Sequence, residues 1–211
     1  RMGAGLVHVI STPSNRDTLL SALPEILFST RGEIKKVLPL ASAVVIGPGI
    51  GLSKESEELG EYVLTNTKVP TVVDGDAITI CAKKNIVFQD NFVLTPHVKE
   101  MSVLTGISIP KLQENILGTT KNTAKTRNCI LVQKDARTVV SDGTECYVNV
   151  SGNNGMATGG SGDVLTGVIG GLLAQNVNPF SAAKLGVYLH GLSGDVAAKQ
   201  KSPYGVMASD L

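Results

Sequence analysis

The residues best suited to chemistry lie in a glycine-rich loop that follows a strand-like run ending near Val150. The loop carries almost no bulky side chain, and apolar residues recur at helical spacing after Asp163. Gly159, Gly160 and Gly162 allow the backbone to turn its N–H groups toward one point, at the positive end of the helix dipole. We therefore predict an anion site suited to phosphate, with Asp163 beside the anion as a general base.

A tight turn with an N-terminal cap is the alternative interpretation, because a carboxylate at a helix start often only satisfies free N–H groups. Two features favour function. Gly167, Gly170 and Gly171 lie inside the predicted helix, where each costs about 0.5–1 kcal/mol relative to alanine. Close packing against a neighbour or a ligand would explain them. The loop also buries too little apolar surface for stability alone to explain it.

Further polar residues stand at the carboxyl ends of predicted strands, where ligands bind in open α/β sheets. Asp74 and Asp76 follow a strand at residues 69–73, and His97 follows a strand at residues 92–95. Turn and cap duty is an equally common use of such aspartates, and a lone histidine is more often satisfied by a local hydrogen bond. We expect Asp74 to lie near a substrate.

Positioning these residues requires a sheet, and the hydrophobic pattern predicts one. The predicted strands are residues 6–11, 43–46, 69–73, 92–95 and 129–132, the first of them a buried parallel strand. The predicted helices are residues 16–23, 55–64 and 112–126, one running through Leu104, and a last one from Asn178-Pro179. A hairpin with an Asp142-Gly143 turn leads into the loop. Repeated strand–turn–helix units predict a three-layer α/β/α domain with a mostly parallel sheet.

Bulk composition excludes several function classes. The 211 residues suffice for one domain with a substantial core, and 19 Lys and Arg against 18 Asp and Glu give no electrostatic case for nucleic acid or an anionic membrane. No apolar run approaches the ~20 residues of a membrane span, and no signal peptide is visible. Neither the dinucleotide fingerprint nor a P-loop is present. Three widely spaced cysteines fit a reduced, cytoplasmic setting.

The run from Asn153 to Gly167 resembles the signature of the NAD(P)H-hydrate dehydratases of the ribokinase-like superfamily, and residues 186–191 resemble that family's following helix. The resemblance covers nearly the whole chain and implies one ribokinase-like domain over residues 1–211. The start, Arg1-Met2-Gly3-Ala4-Gly5, reads as the tail of a helix. In the family a strand, a Gly-rich turn and a helix come before this point, so we expect the N-terminal strand and helix to be missing.

The resemblance also implies two sets of binding residues. The set for ADP or ATP is Lys134, Asp135, Ala136, Arg137, Thr138, Asn153, Asn154, Gly155, Met156, Ala157, Thr158, Gly159, Gly160, Ser161 and Gly162. The set for the substrate, which includes the catalytic base, is Gly49, Gly51, Asp74, His97, Glu100 and Asp163. Glu100 is expected to organise Mg²⁺ and water near the phosphates, and no residue is assigned as a dedicated metal ligand. Gln133 and Asp135 depart from the family pattern, and Asp135 would repel phosphate unless it points away.

The activity implied is nucleotide-dependent dehydration of NADHX and NADPHX, the hydrated forms of NADH and NADPH, which is a metabolite repair reaction. Asp163 would deprotonate the ring hydroxyl, which takes the terminal phosphoryl group, and phosphate would then leave carbon. Two alternatives stay open. One is a small-molecule kinase for a vitamin precursor such as hydroxyethylthiazole, and the other is a nucleotide-binding domain without catalysis.

The same resemblance implies a homo-oligomer, and an NAD(P)HX epimerase as a fused or partner protein. Bacterial members of the family favour ADP, and the sequence itself does not choose between ADP and ATP.

Overall fold

Eight strands and nine α-helices make up the computed structural model, which describes residues 2–211. The strands are β1 (His8–Ser11), β2 (Leu27–Thr30), β3 (Val44–Ile46), β4 (Thr71–Val73), β5 (Phe92–Leu94), β6 (Ile130–Gln133), β7 (Val139–Ser141) and β8 (Cys146–Val148). The helices are α1 (Arg16–Ala22), α2 (Ile34–Val37), α3 (Lys54–Asn66), α4 (Gly75–Lys84), α5 (Val98–Thr105), α6 (Ile109–Glu114), α7 (Ile116–Arg127), α8 (Ser161–Leu173) and α9 (Pro179–Lys201).

The main sheet has the strand order β3-β4-β5-β6-β7-β8. Its first four strands are parallel, with Val73 opposite Leu94 in the register of β4 and β5. The last two strands are antiparallel and form the predicted hairpin. The mostly parallel sheet is thus confirmed, and it brings the carboxyl ends of β3, β4, β5 and β6 to a common edge.

Helices cover both faces of this sheet, as predicted for a three-layer domain. Side chains from α3, α4, α5, α6 and α7 join one buried cluster, and those from α8 and α9 join a second. Neighbouring residues of β4 face opposite ways, because side chains alternate along a strand: Val73 belongs to the first cluster and Val72 to the second. Within residues 2–211, no helix combines the length and the apolarity needed to cross a membrane.

Two glycine contacts fix helix α8 between the sheet and α9. A Cβ added to Gly170 would lie 2.4 Å from Val45 Cγ2, and one added to Gly186 would lie 2.6 Å from Ile169 Cγ1. Close packing therefore explains Gly170, as the sequence suggested. It does not explain Gly167, where an added Cβ would meet no atom of residues 2–211 within 4 Å.

Several sequence-based expectations need correction. The strand expected at residues 6–11 is shorter, none of its residues is buried, and it pairs in parallel with β2 in a separate two-stranded sheet. Leu6 is 77% exposed, so the continuous apolar run does not mark a core strand here. The helix expected at residues 112–126 is two helices, α6 and α7. The break lies at Asn115, whose backbone is non-helical and whose side chain caps α7 by accepting from the Gly118 N–H.

Candidate functional site

The glycine-rich loop ends in backbone N–H groups that have no partner. Gly160 lies in the left-handed region (φ +87°) and caps α8. Within residues 2–211 the N–H groups of Gly159, Gly160, Gly162 and Asp163 meet no hydrogen-bond acceptor, whereas the Ser161 N–H bonds weakly to the Thr158 carbonyl at 3.3 Å. Unpaired N–H groups at the positive end of a 13-residue helix are suited to bind an anion, so the anion site stays a prediction that this geometry supports.

Asp163 is exposed at the third position of α8. Its carbonyl accepts from the Thr166 hydroxyl at 2.7 Å, but its carboxylate has no hydrogen bond or ion pair within the described part of the chain. The carboxylate therefore does not cap the helix, and the cap interpretation finds no support. It is free to accept a proton from a ligand held at the N–H groups.

A buried ion pair lies beside the start of α8. Lys134 Nζ donates to Asp74 Oδ1 at 2.6 Å, with side chains 19% and 4% exposed. A Cβ added to Gly162 would lie 3.2 Å from Lys134 Nζ and 3.9 Å from Asp74 Oδ2. The sequence placed Asp74 with the substrate and Lys134 with the nucleotide, and the structure brings the two side chains together.

The turn after β3 is held by the other aspartate. Asp76 Oδ2 accepts from the Gly51 N–H at 3.0 Å, so Asp76 performs the turn duty considered for both aspartates. Gly49 lines a cavity of about 1640 Å³ between the small sheet, β3 and α8, together with Asp163. Gly51 does not line it, and its N–H is already bonded. As a substrate contact Gly51 stays a prediction without structural support.

The side chains of His97 and Glu100 form a capping box at the start of α5. His97 Nδ1 accepts from the N–H groups of Lys99 and Glu100 at 3.1 and 3.3 Å, and Glu100 Oε2 accepts from the His97 N–H at 2.8 Å. Glu100 Oε1 lies 3.3 Å from His97 Nε2. Both oxygens of Glu100 are thus engaged locally, which argues against the expectation that Glu100 organises Mg²⁺.

The segment expected to contact the nucleotide is tied to the beginning of the loop. Arg137 Nη1 donates to the Val150 carbonyl at 3.2 Å, and the Thr138 carbonyl accepts from the Asn149 N–H at 2.9 Å. Asp135 is exposed, and its carboxylate accepts from the Ala136 N–H at 2.6 Å. The Asp135 carboxylate is therefore committed to a local turn.

The middle of the loop is anchored to α9. Asp195 accepts from Asn153 Nδ2 at 3.0 Å and from the Gly152 N–H at 2.9 Å, and these two hydrogen bonds, in that order, lower the pKa of Asp195. Asn153 Oδ1 also accepts from the Gly155 N–H. Asn154–Met156 is one turn of 3-10 helix, followed by Ala157 and Thr158. No local pattern in the sequence indicated that Asp195 anchors the loop.

A buried histidine lies beneath the start of α8. His190 Nε2 is 3.4 Å from the Ser161 hydroxyl, and burial lowers the pKa of His190, as does the nearby charge of Lys134. No local pattern in the sequence indicated that His190 contacts the loop. Among residues 2–211, no three His, Cys, Asp or Glu side chains cluster as metal ligands.

Comparison with known proteins gives a family for this arrangement. A family model described as NAD(P)H-hydrate dehydratase matches residues 1–211. The bifunctional NAD(P)H-hydrate repair enzyme of Coxiella burnetii is 37% identical over 215 residues, which is all of this chain and 44% of that protein. The ADP-dependent (S)-NAD(P)H-hydrate dehydratase of Neisseria meningitidis is 37% identical over 93% of this chain and 70% of its own length. The chain spans less than half the length of the bifunctional relatives that it matches.

Solved structures confirm the ribokinase-like fold. An ADP/ATP-dependent NAD(P)H-hydrate dehydratase from Bacillus subtilis, co-crystallised with ATP and Mg²⁺, superposes with a TM-score of 0.83 at 26% identity. The match covers 98% of this chain and 77% of the Bacillus protein.

Proposed function

The chain belongs to the NAD(P)H-hydrate dehydratase family, and we propose that it dehydrates NADHX and NADPHX to NADH and NADPH with ADP or ATP as the phosphoryl donor. One observation carries this proposal: unpaired N–H groups and an unpaired carboxylate occur together at the first turn of α8. The N–H groups suit the transferred phosphoryl group, and the carboxylate suits the removal of a proton from the group that receives it.

The reaction follows from these roles. Asp163 accepts the proton of the ring hydroxyl, whose oxygen forms a bond to the terminal phosphorus while the bond from phosphorus to the departing nucleotide breaks. The N–H groups of Gly160, Gly162 and Asp163 hold the charge on the phosphoryl oxygens, so that catalysis rests on positioning and electrostatics. Phosphate then leaves carbon, assisted by the lone pair of the ring nitrogen, and loss of a ring proton restores the dihydropyridine.

Phosphorylation explains why a kinase-like fold suits a dehydration. Hydroxide is a poor leaving group, and transfer of a phosphoryl group converts it into a good one. Among the expected substrate residues, Gly49 and Asp163 share the wall of the large cavity, which we assign to the hydrated nicotinamide. Asp163 lines this cavity and lies in the first turn of α8, which supports the proposal that it acts as a base between the two ligands.

Mg²⁺ remains part of the proposal as a companion of the nucleotide. The ion is usually held by one or two carboxylates together with substrate phosphates. Glu100 does not fit this role, because both of its oxygens already have partners. We therefore derive no step through Mg²⁺ from the protein side chains.

The choice of ADP over ATP rests on the names of relatives. The Neisseria relative is described as ADP-dependent and the Bacillus structure as ADP/ATP-dependent. We propose ADP as the donor of this chain, with ATP as the alternative. An epimerase as partner or fused domain, a homo-oligomeric assembly and a cytoplasmic location are further parts of the proposal.

A direct assay tests the function. NADHX is incubated with the protein, Mg²⁺ and either ADP or ATP, and the absorbance of the reduced nicotinamide is followed with phosphate release. We expect both signals to rise together. A stable phosphate ester of a small alcohol, with no gain in nicotinamide absorbance, would support the small-molecule kinase instead. Tight ADP binding without turnover would support the non-catalytic domain.

A further inference from the structure

The Asp74–Lys134 ion pair connects two strands that are not neighbours. Asp74 follows β4 and Lys134 follows β6, so the pair crosses the end of β5 and joins residues 60 positions apart. The pair is largely buried, and an added Cβ on Gly162 would lie 3.2 Å from the ammonium. The ammonium therefore lies against the first turn of α8, next to the unpaired N–H groups.

The backbones of both partners are held rigidly. The Asp74 N–H donates to the Ile46 carbonyl at 3.0 Å, and a Cβ on Gly47 would lie only 1.7 Å from the Asp74 carbonyl oxygen. The Lys134 N–H donates to the Pro96 carbonyl at 2.8 Å. Because the lysine side chain is long and flexible, its ammonium needs a second point of attachment, and Asp74 supplies it.

The signs of the charges separate the roles of the two residues. A carboxylate that faced a phosphate directly would repel it, whereas an ammonium attracts it. Asp74 directs one oxygen to Lys134 and lies farther than the ammonium from the Gly162 position. Direct contact between Asp74 and the transferred phosphoryl group is therefore unfavourable.

We propose that Asp74 is a positioning residue that holds the Lys134 ammonium against the start of α8, where it joins the N–H groups in binding the terminal phosphate. This inference rests on the proposed function and replaces the expectation that Asp74 contacts the substrate. Gly162 has a corresponding reason to lack a side chain, since a Cβ there would crowd the ammonium.

A double-mutant cycle tests the inference with Asp74→Asn, Lys134→Met and the double variant. The dissociation constant for ADP is measured by calorimetry in the absence of NADHX. We expect Lys134→Met to weaken ADP binding about 10- to 100-fold, the range for loss of a hydrogen bond to a charged group. Asp74→Asn should lose a large part of that affinity, and the double variant should bind no worse than Lys134→Met alone. The loss should be larger for ADP than for AMP, which lacks the second phosphate.

Two results would overturn the inference. If Asp74→Asn raises KM for NADHX equally whether residue 134 is Lys or Met, Asp74 acts on the substrate independently of Lys134. If all three variants bind ADP normally and only melt earlier, the ion pair is structural. Should Asp74→Asn alone fail to fold, comparison of the double variant with Lys134→Met still gives the effect of Asp74 once the lysine is gone, which we expect to be nil.

A matched control is available in another ion pair. Lys83 Nζ and Glu57 Oε1 are also 2.6 Å apart, and they join α4 to α3 through side chains outside the described site. Glu57→Gln should leave ADP affinity unchanged. Because ADP affinity is measured without turnover, a non-additive cycle in a protein inactive on NADHX would uphold the positioning role and reject only the proposed function. A protein that is active on NADHX but gives an additive cycle would uphold the proposed function and reject the positioning role.

Discussion

The start of α8 and the turns that follow β4 and β5 lie at the same edge of the sheet but use their polar groups differently. At the start of α8, the Gly162 and Asp163 N–H groups and the Asp163 carboxylate have no partner within residues 2–211. In the turns, Asp76 is bonded to Gly51, and His97 and Glu100 bond each other. The groups at the start of α8 are therefore available to a ligand, whereas the polar groups of the turns are already engaged within the protein.

The same difference in hydrogen bonding indicates which candidate residues a ligand can reach at the lower cost. A ligand can bind at the start of α8 without breaking any protein hydrogen bond. A ligand that uses His97 or Glu100 must first displace a cap, which offsets part of the energy gained. Substitutions in the loop should therefore affect binding and rate, whereas substitutions in the turns should affect stability first.

The largest expected effect comes from Asp163→Asn. The amide keeps the shape of the side chain but cannot accept the proton, and loss of a general base costs about 10²–10⁴ in rate. Steady-state kinetics with NADHX and ADP should show this fall in kcat, while calorimetry shows ADP affinity within a few-fold of the original. A kcat close to that of the unchanged protein would remove Asp163 from the chemistry.

The next effect separates the glycines of the loop. Gly160→Ala places a side chain at φ +87° and 3.1 Å from Ala208 Cβ, whereas Gly159→Ala meets no atom of the described residues within 4 Å. Strain of this kind costs about 1–3 kcal/mol, so we expect Gly160→Ala to weaken ADP binding roughly tenfold or more. Gly162→Ala should act in the same direction through Lys134, and Gly159→Ala should stay within a few-fold.

One outcome of these three substitutions would contradict the anion-site proposal. If Gly160→Ala and Gly162→Ala bind ADP as tightly as Gly159→Ala and differ from it only in melting temperature, the loop is structural rather than ligand-binding.

A smaller effect tests whether His97 is more than a cap. His97→Ala removes the acceptor for two N–H groups of α5 and should cost about 0.5–2 kcal/mol of unfolding free energy. His97→Asn keeps a capping oxygen without the imidazole, so its stability should approach that of the unchanged protein. If His97 also contacts the substrate, both variants raise KM for NADHX a few-fold and leave ADP affinity unaltered.

The Thr138→Ala variant tests whether the nucleotide and the substrate bind on the sides assigned to them. It should raise KM for ADP and leave KM for NADHX unchanged. A normal KM for NADHX in His97→Asn would leave His97 with the cap alone, and the contrast between the two regions would be complete.

The smallest effect is a pH dependence at the anchor of the loop. Hydrogen bonds from Asn153 and Gly152 lower the pKa of Asp195 in the folded protein. A carboxyl with a lowered pKa stabilises the fold above its unfolded pKa, and this contribution is lost as the pH falls through the folded pKa. Asp195→Asn should therefore melt earlier at neutral pH, and the difference should shrink in acid. A difference independent of pH would mean that the charge of Asp195 does not matter.

The sequence predicted the parts of the fold that have strong local patterns. The strands β3, β4, β5 and β6 are short apolar runs, and the anion loop is a cluster of glycines before an apolar helix, so each is visible within its own segment. The elements β2, α2 and α4 were not predicted. The first two span four residues each, too few for a clear periodicity, and α4 begins at a glycine that only Asp74 separates from β4.

For the candidate site as well, the sequence predicted the features that lie within one local segment. The loop and Asp163 follow from adjacent residues, and α8 begins beside them at Ser161. Their roles in binding and catalysis stay predictions. The pairings Asp74–Lys134, Asn153–Asp195 and Ser161–His190 join residues 60, 42 and 29 positions apart. Such contacts depend on strand order and on the packing of α9, which no local pattern specifies. The sequence indicated the capping role of His97 only through the general tendency of a lone histidine to be satisfied by a local hydrogen bond.

The glycines of α8 link anion binding to the folding of the whole chain. The helix contains Gly162, Gly167, Gly170 and Gly171 within 13 residues, and each lowers helix propensity by about 1 kcal/mol relative to alanine. Alone, this segment would not hold a helical turn, so the proposed anion site can form only once α8 is packed through Gly170 on Val45 and through Ile169 on Gly186. Because ADP would bind only the folded chain, it should raise the free energy of global unfolding by about 2.7 kcal/mol when its concentration is a hundred times its Kd. Amide hydrogen exchange should then slow across the core strands β4, β5 and β6 as well as in the loop.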